Sequence, residues 1–397
     1  MKKFNLYLTA VAVMTLVLGF SATQSLAVPS YARQFGKPCS ACHTMWPKLN
    51  PTGREFKLTA YTDVAEDYPR IEGDNLDLLR YSPLSLSVIS FPYTKSNSDP
   101  SITDIPSEVA LFYAGRITPN IGAFVEPILY PDFEFEFAKF AAYRRLGANT
   151  VGLVAGKMDS GGADPYNTFR FTSYTTINSP AMFSQERGAG DFFYFGATDN
   201  TGLIANGKFV GNHLYLAAGG FRGHTNDDPW DFSGRALWDQ PLVLGSNVAF
   251  LTVGGVVYSG IERYASPTLV DEFYDSDVMR YGADVSFQME AGINIFEAMA
   301  TYMYGEDKDL DEIAGNDVKF KSYYLEASYV YDRKYGVIIG YDYMKSDEDP
   351  SLDKKGPLFN VSYNPWLNTK LALEYADFKI DGDDHDQHID FMLHLYL

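Results

Sequence analysis

The last ten residues, His388-Ile389-Asp390-Phe391-Met392-Leu393-His394-Leu395-Tyr396-Leu397, alternate in polarity. Every odd position from Ile389 onward is apolar, and the even positions carry Asp, Met, His and Tyr. Successive side chains of a β-strand point to opposite faces, so this pattern predicts a strand with one apolar face. A chain that ends on such a strand is typical of outer-membrane barrels, although a soluble β-sandwich strand alternates in the same way.

Segments of about ten residues with the same alternation fill the chain from Leu78 onward. Short turns are predicted near Thr118–Asn120, Leu146–Asn149, Gly211–Asn212, Leu244–Asn247, Ala291–Gly292, Asp332–Tyr335 and Asn364–Leu367. Longer connections are predicted near Lys95–Pro106, Asp159–Asn200, Gly223–Phe232, Gly260–Asp277, Gly305–Asp317, Ser346–Lys355 and Asp381–Gln387, with one tight reversal near Tyr130–Asp132. Seven short turns and eight outer connections require sixteen strands. The sequence therefore predicts an all-β fold, a transmembrane antiparallel β-barrel of about sixteen strands.

Composition excludes some classes of protein. The formal net charge is −19, which makes a poor surface for nucleic acid and a good one for cations. Aromatic residues make up 15% of the chain. After the N-terminal segment no apolar run reaches the roughly 18 residues of a transmembrane helix, whereas barrel strands are short and only half apolar.

The first 27 residues have the pattern of a secretory signal peptide. Lys2 and Lys3 precede an apolar stretch over Leu6–Phe20, and Ser25-Leu26-Ala27 supplies small residues for cleavage. We expect Val28 to begin the mature chain. Residues 28–77 form a small module punctuated by prolines, and residues 78–397 form the barrel.

The module contains both cysteines of the protein, in Cys39-Ser40-Ala41-Cys42-His43. The spacing C-x-x-C-H is the attachment site of c-type haem, in which the two thiols form thioether bonds and the histidine is the proximal ligand of the iron. A disulfide or a redox C-x-x-C is the alternative, but no βαβ pattern surrounds the cysteines. We therefore predict one covalent haem c, bound by Cys39, Cys42 and His43.

The sixth ligand of the iron is left open by the sequence. Met45 lies two residues after the proximal histidine, on the wrong side of the ring, and the module has no second histidine. A protein-derived ligand would then come from the barrel. The candidates are His394, Met392, His213, Met299 and Met303.

Charged residues occur in three groups. Basic residues flank the motif at Arg33, Lys37, Arg54 and Lys57. They are candidates for pairing with haem propionates, for contacting an acidic lumen or for solvating the module. Carboxylates on predicted inward faces would attract cations, hold a basic module or line an ordinary polar lumen: Asp284, Glu326, Asp342, Glu374, Glu134 and Glu136.

Acidic segments over Glu306–Glu312, Asp347–Asp349 and Asp381–Asp386 are predicted to lie outside the cell. Carboxylate oxygens bind divalent cations, Fe(II) among them. These segments would either bridge lipopolysaccharide through Mg²⁺ or Ca²⁺, or bind a cationic substrate.

Residues 28–61 resemble the head of a known family. The stretch Val28-Pro29-Ser30-Tyr31-Ala32-Arg33-Gln34-Phe35-Gly36-Lys37-Pro38 precedes the haem motif, and Pro47, Leu49, Pro51, Gly53-Arg54 and Phe56-Lys57-Leu58 follow it. This pattern is similar to that of the fused monohaem cytochrome–porins of the outer membrane, whose members include Fe(II) oxidases. Tyr31 and Phe35 replace a Phe and a Thr of the family pattern.

The resemblance implies a partly helical c-type cytochrome module that plugs the lumen of an outer-membrane barrel. It also implies electron transfer from extracellular Fe(II) to a periplasmic c-type cytochrome, an Fe(II):cytochrome c oxidoreductase type of activity. The alternatives are a conduit for a partner other than iron and a diffusion porin with an accessory haem. Outer-membrane lipid and lipopolysaccharide are the expected surroundings.

Overall fold

Sixteen strands form one closed antiparallel barrel in the computed structural model. The structure describes residues 29–73, 76–97, 102–166, 168–169, 176–178, 180–182, 184–187, 191–194, 200–222, 230–265, 273–308, 317–366, 368–380 and 384–397. The barrel strands are β3 (Leu84–Lys95), β4 (Ile102–Thr118), β5 (Ile121–Tyr130), β6 (Glu134–Leu146), β7 (Asn149–Met158), β10 (Asn200–Phe209), β11 (Leu214–Arg222), β12 (Trp230–Leu244), β13 (Asn247–Ala265), β14 (Phe273–Ala291), β15 (Asn294–Asp307), β16 (Val318–Tyr331), β17 (Tyr335–Ser346), β18 (Lys354–Tyr363), β19 (Thr369–Ile380) and β20 (Asp384–Tyr396). Strand β20 pairs with β3 and closes the barrel. Strands β8 (Ser184–Arg187) and β9 (Asp191–Tyr194) form a separate two-stranded sheet.

The predicted strand count and all seven short turns are confirmed, and these turns define one end of the barrel, the short-turn end. Several boundaries differ from the prediction. Strands β4 and β20 begin at Ile102 and Asp384, inside the connections predicted over Lys95–Pro106 and Asp381–Gln387. Two differences are larger. The barrel begins at Leu84 rather than Leu78, because residues 70–79 form a separate hairpin of β1 (Arg70–Gly73) and β2 (Leu76–Leu79). The connection predicted over Gly260–Asp277 is shorter, because β13 and β14 continue their pairing to Ala265 and Phe273. The predicted signal peptide lies outside the described residues.

The two faces of the wall follow the alternation of the sequence. On β16, Leu325 and Tyr329 are exposed on the outside, and Glu326 and Ser328 are buried on the inside. On β20, Asp390, Met392, His394 and Tyr396 are buried. Outward tyrosines stack in pairs toward the strand ends, for example Tyr323 with Tyr343 at 4.5 Å between ring centroids. An apolar belt flanked by aromatic rings is the surface that lipid requires.

No helix among the described residues is long and apolar enough to cross a membrane.

The segment before the barrel is short and helical. Helix α1 spans Pro29–Phe35, a 3₁₀ turn spans Cys39–Ala41, and helix α2 spans Pro51–Leu58. Asn50 caps α2 by accepting a hydrogen bond from the Gly53 N–H at 3.0 Å, and Pro51 stands in the first turn, where its missing N–H costs nothing. We call residues 29–61 the N-terminal segment.

The N-terminal segment lies against the inner wall, near the short-turn end. Arg333, in the turn between β16 and β17, donates to the His43 carbonyl at 3.0 Å. Met45 packs with Ile295, Val330 and Ile338, which lie close to short turns. On the other side, the Ser30 hydroxyl donates to the Ala114 carbonyl at 2.9 Å. The segment therefore touches strands on opposite sides of the lumen.

Part of the long connection after β7 also enters the lumen. The backbone N–H groups of Ile177 and Asn178 donate to Glu374 at 2.7 Å each, and the N–H of Ala181 donates to Asp342 at 2.9 Å. We call the described residues between 159 and 182 the inward loop; they are 159–166, 168–169, 176–178 and 180–182. The sequence predicted this stretch as an outer connection, and the alternation of the strands carries no signal for its return into the barrel.

Candidate functional site

The Cys39–His43 motif forms a tight turn that Asn50 holds in place. The backbone N–H groups of Cys42 and His43 both donate to the Cys39 carbonyl, at 3.0 and 2.9 Å. The Asn50 backbone N–H donates to the Cys42 carbonyl at 2.8 Å, and its side-chain amide donates to the Ala41 carbonyl at 3.0 Å. A side chain at Gly53 would overlap the Cys42 carbonyl oxygen, so this glycine lets α2 lie directly on the motif.

The His43 ring is oriented for ligation. Its Nδ1 lies 3.2 Å from the Pro47 carbonyl oxygen, which only accepts hydrogen bonds. Nδ1 therefore carries the hydrogen, and Nε2 keeps its lone pair. Burial lowers the pKa of His43 to about 4, although hydrogen bonds with the backbone of Pro47 and Lys48 oppose the shift. The imidazole is neutral at pH 7, as a metal ligand must be.

The two cysteines differ from a redox pair. Neither Cys39 nor Cys42 is in a disulfide. Burial raises the pKa of the Cys42 thiol to about 11, whereas a redox C-x-x-C needs a lowered pKa at its attacking thiol. The Cys42 thiol is therefore a poor attacking group for disulfide exchange.

Cys39, Cys42 and His43 face a single cavity of about 610 Å³. One wall of the cavity is the N-terminal segment, and the other consists of β3, β4, β5, β6 and β20. Its apolar lining includes aromatic rings from both walls: Phe35, Phe56, Phe91, Phe112, Phe124 and Phe137. The volume lies within the usual range for cofactor pockets.

These residues fit a haem c. The donor set supplies two thiols and one neutral imidazole on the same side of an apolar cavity. The buried Tyr31 hydroxyl, on the cavity wall, has no hydrogen-bond partner among the described residues, so the cavity has a polar atom for a bound group to satisfy.

His394 is the candidate sixth ligand that lines this cavity. Its side chain is 3% exposed, and Trp46 packs edge-on against it with ring centroids 5.0 Å apart. Nε2 of His394 lies 2.8 Å from the Ser87 hydroxyl, which also lines the cavity.

The other four candidates do not line the cavity. His213 lies at a short turn, where it hydrogen-bonds the Asp239 carbonyl and stacks on Trp238. Met299 and Met303 pack in a core cluster with Phe169 of the inward loop. Met392 faces the interior of the barrel, 9% exposed.

The four flanking basic residues have separate partners. Lys37 and Lys57 line the cavity. Arg54 donates to Gln288 on β14 at 3.1 Å and lies 3.8 Å from Asp239 on β12. Arg33 donates to the Leu84 carbonyl. Arg54 therefore contacts the acidic lumen, which was one of the three predicted roles.

The inward carboxylates mainly fix other parts of the protein. Glu326 forms an ion pair with Lys48 of the N-terminal segment. Asp284 pairs with Arg235 at 2.5 Å. Asp342 and Glu374 accept hydrogen bonds from the inward loop. Of the other two, Glu136 lines the cavity and Glu134 is exposed beside the tight reversal.

Lys48 and Glu297 join the N-terminal segment to the inner wall, and the sequence did not single them out. Glu297 accepts a hydrogen bond from Thr44 at 2.6 Å and lies 3.9 Å from the Lys48 ammonium. Burial alone would lower the pKa of Lys48, but Glu326 and Glu297 together raise it. The alternation of Glu297 with the apolar Phe296 and Ala298 is the signal that would have placed it on the inner face.

No protein-family model and no curated protein matches the chain significantly. Solved outer-membrane barrels are similar in fold. OmpT of Vibrio cholerae, folded in vitro, is 12% identical, with a TM-score of 0.52 over 84% of this chain and 100% of that chain. Its loop L8 deletion mutant is 11% identical, with a TM-score of 0.53 over 79% of this chain and 98% of that chain. An anion-selective porin from Comamonas acidovorans is 15% identical, with a TM-score of 0.51 over 80% and 100%.

The protein therefore has the fold of outer-membrane porins. A closed barrel leaves no unpaired strand edge, and its outer surface carries an apolar belt with stacked tyrosines. This architecture is that of a protein of the bacterial outer membrane.

Proposed function

We propose that the chain is an outer-membrane electron-transfer protein with one haem c covalently bound inside its barrel. The observation that carries the proposal is the cavity of about 610 Å³ onto which Cys39, Cys42 and His43 all face. The resemblance of residues 28–61 to monohaem cytochrome–porins is independent support.

The chain's own residues would hold the group as follows. Cys39 and Cys42 would form the two thioether bonds, and His43 would ligate the iron through Nε2. The Pro47 carbonyl fixes the orientation of the His43 ring. His394 is the favoured sixth ligand, because it lines the same cavity. A bound haem supplies a one-electron redox couple.

The barrel provides insulation and position. Aromatic rings line much of the cavity, and the ion pairs of Lys48 and Arg54 hold the N-terminal segment in the lumen. The apolar belt is about 25 Å tall in barrels of this type, too far for a haem outside the lumen to serve both sides. A site within the lumen shortens the path to each side.

The proposed reaction moves one electron and no atoms. Each extracellular Fe(II) loses one electron and becomes Fe(III), and a periplasmic c-type cytochrome gains that electron. The described residues contain no cluster of three or more His, Cys, Asp or Glu side chains that could hold a metal ion. Exposed carboxylates such as Asp347, beyond the strand ends, would attract Fe(II) electrostatically.

Anaerobic mixing tests the iron reaction. The haem-loaded ferric protein is mixed with dissolved Fe(II) at the pH of growth while the absorption bands are recorded. We expect rapid appearance of the ferrous spectrum. A protein shown to be fully loaded that stays ferric would contradict the iron proposal.

A conduit for a partner other than iron shares the same site. Failure with Fe(II) combined with rapid reduction by an electrode, by humic material or by an extracellular cytochrome would favour it. The reduction potential of the haem sets which of these donors is thermodynamically able to react.

A diffusion porin is the second candidate, and the likeness to porins favours it. The packing of the N-terminal segment and the inward loop within the lumen weighs against free diffusion. Planar-bilayer recordings separate the two. The electron-transfer proposal predicts little ionic conductance from the haem-loaded protein, and large stable conductance would favour the porin.

Contacts outside the barrel follow from its surface. We propose that the apolar belt contacts outer-membrane lipid. Carboxylates at the end of the barrel opposite the short-turn end would bind lipopolysaccharide through divalent cations; Glu348 and Asp386 are examples.

A further inference from the structure

Four lysines on consecutive strands form a row on the outer face of the wall. They are Lys321 on β16, Lys345 on β17, Lys355 on β18 and Lys379 on β19. Each lies between two residues that face the interior of the barrel, so all four point outward. Each also lies near the end of its strand that is away from the short turns, which we call the long-connection end. We call these four residues the lysine row.

The strand register places the four lysines side by side. Lys321 is directly opposite Lys345, and Lys355 is directly opposite Lys379. Lys355 is also opposite Tyr343, two residues before Lys345, and is therefore a diagonal neighbour of Lys345. The Cβ atoms of directly opposite residues are about 5 Å apart, and like charges in this arrangement destabilise a sheet. An anion bound beside two opposite lysines would reduce their repulsion.

The lysine row lies at the level of lipid headgroups. Tyr323 and Tyr343, two residues closer to the middle of the barrel, stack with their ring centroids 4.5 Å apart. Outward tyrosines mark the boundary of the apolar belt, and two residues along a strand span about 7 Å. The longer connections of such barrels lie outside the cell, so the row faces the headgroups of the outer leaflet.

Carboxylates also lie near the lysine row. Asp347 pairs with Lys345 at 3.6 Å, and the two side chains are 86% and 51% exposed. An ion pair this exposed is weak, because water screens it and two mobile side chains must be held in place. A phosphate in the headgroup layer can therefore compete with Asp347 for Lys345.

We infer that the lysine row binds the phosphate groups of a phosphorylated lipid of the outer leaflet, the lipid A part of lipopolysaccharide. Ammonium groups bind phosphate oxygens through charge-assisted hydrogen bonds. The acyl chains would lie on the apolar belt below the row, where Leu325, Ile339 and Phe359 are exposed. This contact is separate from the divalent-cation bridges proposed above, and it does not depend on the haem.

Native mass spectrometry of the full protein in detergent tests the assignment, with EDTA present to remove divalent cations. Diphosphoryl lipid A is the probe, and lipid A without phosphate groups is its control. Lys321→Gln, Lys345→Gln and Lys355→Gln are combined in one variant. Lys334→Gln is the matched control protein. Lys334 lies in the short turn of the same β16–β17 hairpin, is 51% exposed like Lys345, and likewise pairs with an aspartate, Asp332.

We expect wild type and Lys334→Gln to bind diphosphoryl lipid A equally in EDTA. The combined variant should bind it about tenfold more weakly, because three cations at the headgroup level are lost. Arginine at the same three positions should restore binding, and the lipid without phosphate should not distinguish the proteins. Binding by wild type should weaken as the salt concentration rises.

Three results would overturn the inference. Equal binding of diphosphoryl lipid A by wild type and the combined variant would refute the role of the lysine row. Loss of wild-type binding in EDTA would assign the lipid to the divalent-cation bridges instead. Equal weakening by Lys334→Gln would show that net charge, and not position, controls binding. If the combined variant gives no folded barrel, Lys345→Gln alone decides the question, with an expected loss of about twofold.

Discussion

The two halves of the inner wall treat the N-terminal segment differently. The half formed by β12, β14, β15 and β16 is polar and grips the segment through charged and amide side chains: Asp239, Gln288, Glu297 and Glu326. The half formed by β3, β4, β5 and β6, called the apolar half after its aromatic rings, presents Ile89, Phe91, Phe112, Phe124 and Phe137 to the cavity. Charged side chains of the same strands lie beside them: Glu108, Glu126, Glu136 and Lys139. The first half holds the segment through side-chain contacts. The second half accepts hydrogen bonds from Ser30 and Arg33 and leaves a cavity in front of the cysteines.

This difference explains how a short segment serves as a site. A segment of about thirty residues cannot bury a porphyrin by itself, because small domains bury little of their surface. Here the polar half holds the backbone of the motif, and the apolar half completes the pocket. The barrel wall therefore contributes residues to the proposed site and does not merely surround it.

The largest expected effect comes from removing the proposed covalent attachment of the haem to the N-terminal segment. Cys39→Ala combined with Cys42→Ala should abolish haem staining after denaturing electrophoresis, because no thioether bond can form. Ser40→Ala, between the two cysteines, is the matched control and should keep full staining. Persistent staining of the double variant would contradict the role of the motif.

The next largest effect is expected when an ion pair between the N-terminal segment and the polar half is removed. Lys48→Met removes the ion pair between the Lys48 ammonium and the buried Glu326 carboxylate, a loss of about 3–5 kcal/mol. We expect easier release of residues 29–61, measured as cleavage by a protease at increasing urea concentration.

Two companion variants sharpen that test. Lys48→Met with Glu326→Gln should recover part of the loss, because the buried carboxylate that pairs with Lys48 is removed as well. Lys345→Met, which breaks an exposed pair with Asp347 at 3.6 Å, should release the segment no faster than wild type. Equal release in all three variants would show that the polar half does not hold the segment.

A smaller effect is expected from the apolar half. Phe112 is 6% exposed and lines the cavity, so Phe112→Ala should cost about 3 kcal/mol in a packed site. The cost should be large in haem-loaded protein and smaller in the Cys39→Ala, Cys42→Ala background, where the ring already faces empty space. Urea unfolding of both forms measures the difference, and equal costs would argue against a group packed on Phe112.

The smallest effect concerns the link between the motif and α2. Asn50→Ala removes the cap of α2 and the hydrogen bond to Ala41, a loss of about 1 kcal/mol. The midpoint of urea-induced release of the segment should fall slightly. Asn120→Ala, at an exposed short turn, is the control and should leave the midpoint unchanged.

Much of the barrel was predictable from local sequence. The alternation of apolar and polar residues in strands such as β16 and β20 predicts both the number of strands and which side chains face outward. A one-residue slip would turn the apolar face inward. Short turns such as Leu146–Asn149 break the alternation visibly. The end of the Gly260–Asp277 connection was missed because Tyr264 and Tyr274 continue the pairing beyond the last clear alternation.

The site was predictable only in part. The C-x-x-C-H spacing predicts Cys39, Cys42 and His43 as haem-binding residues without any structure. The cavity wall is different, because Phe112, Lys139 and His394 come together only through closure of the barrel. The pairing of Lys48 with Glu326 depends on where the N-terminal segment lies in the lumen, and periodicity carries no such information.

The central claim is that the N-terminal segment holds a haem within the lumen and passes electrons across the barrel. Its most direct test uses liposomes that contain the haem-loaded protein in their membrane and ferric cytochrome c trapped inside. Fe(II) added outside should reduce the trapped cytochrome c, and liposomes with the Cys39→Ala, Cys42→Ala protein should show no reduction above protein-free liposomes. Fully haem-loaded protein that leaves the trapped cytochrome c ferric would contradict the account.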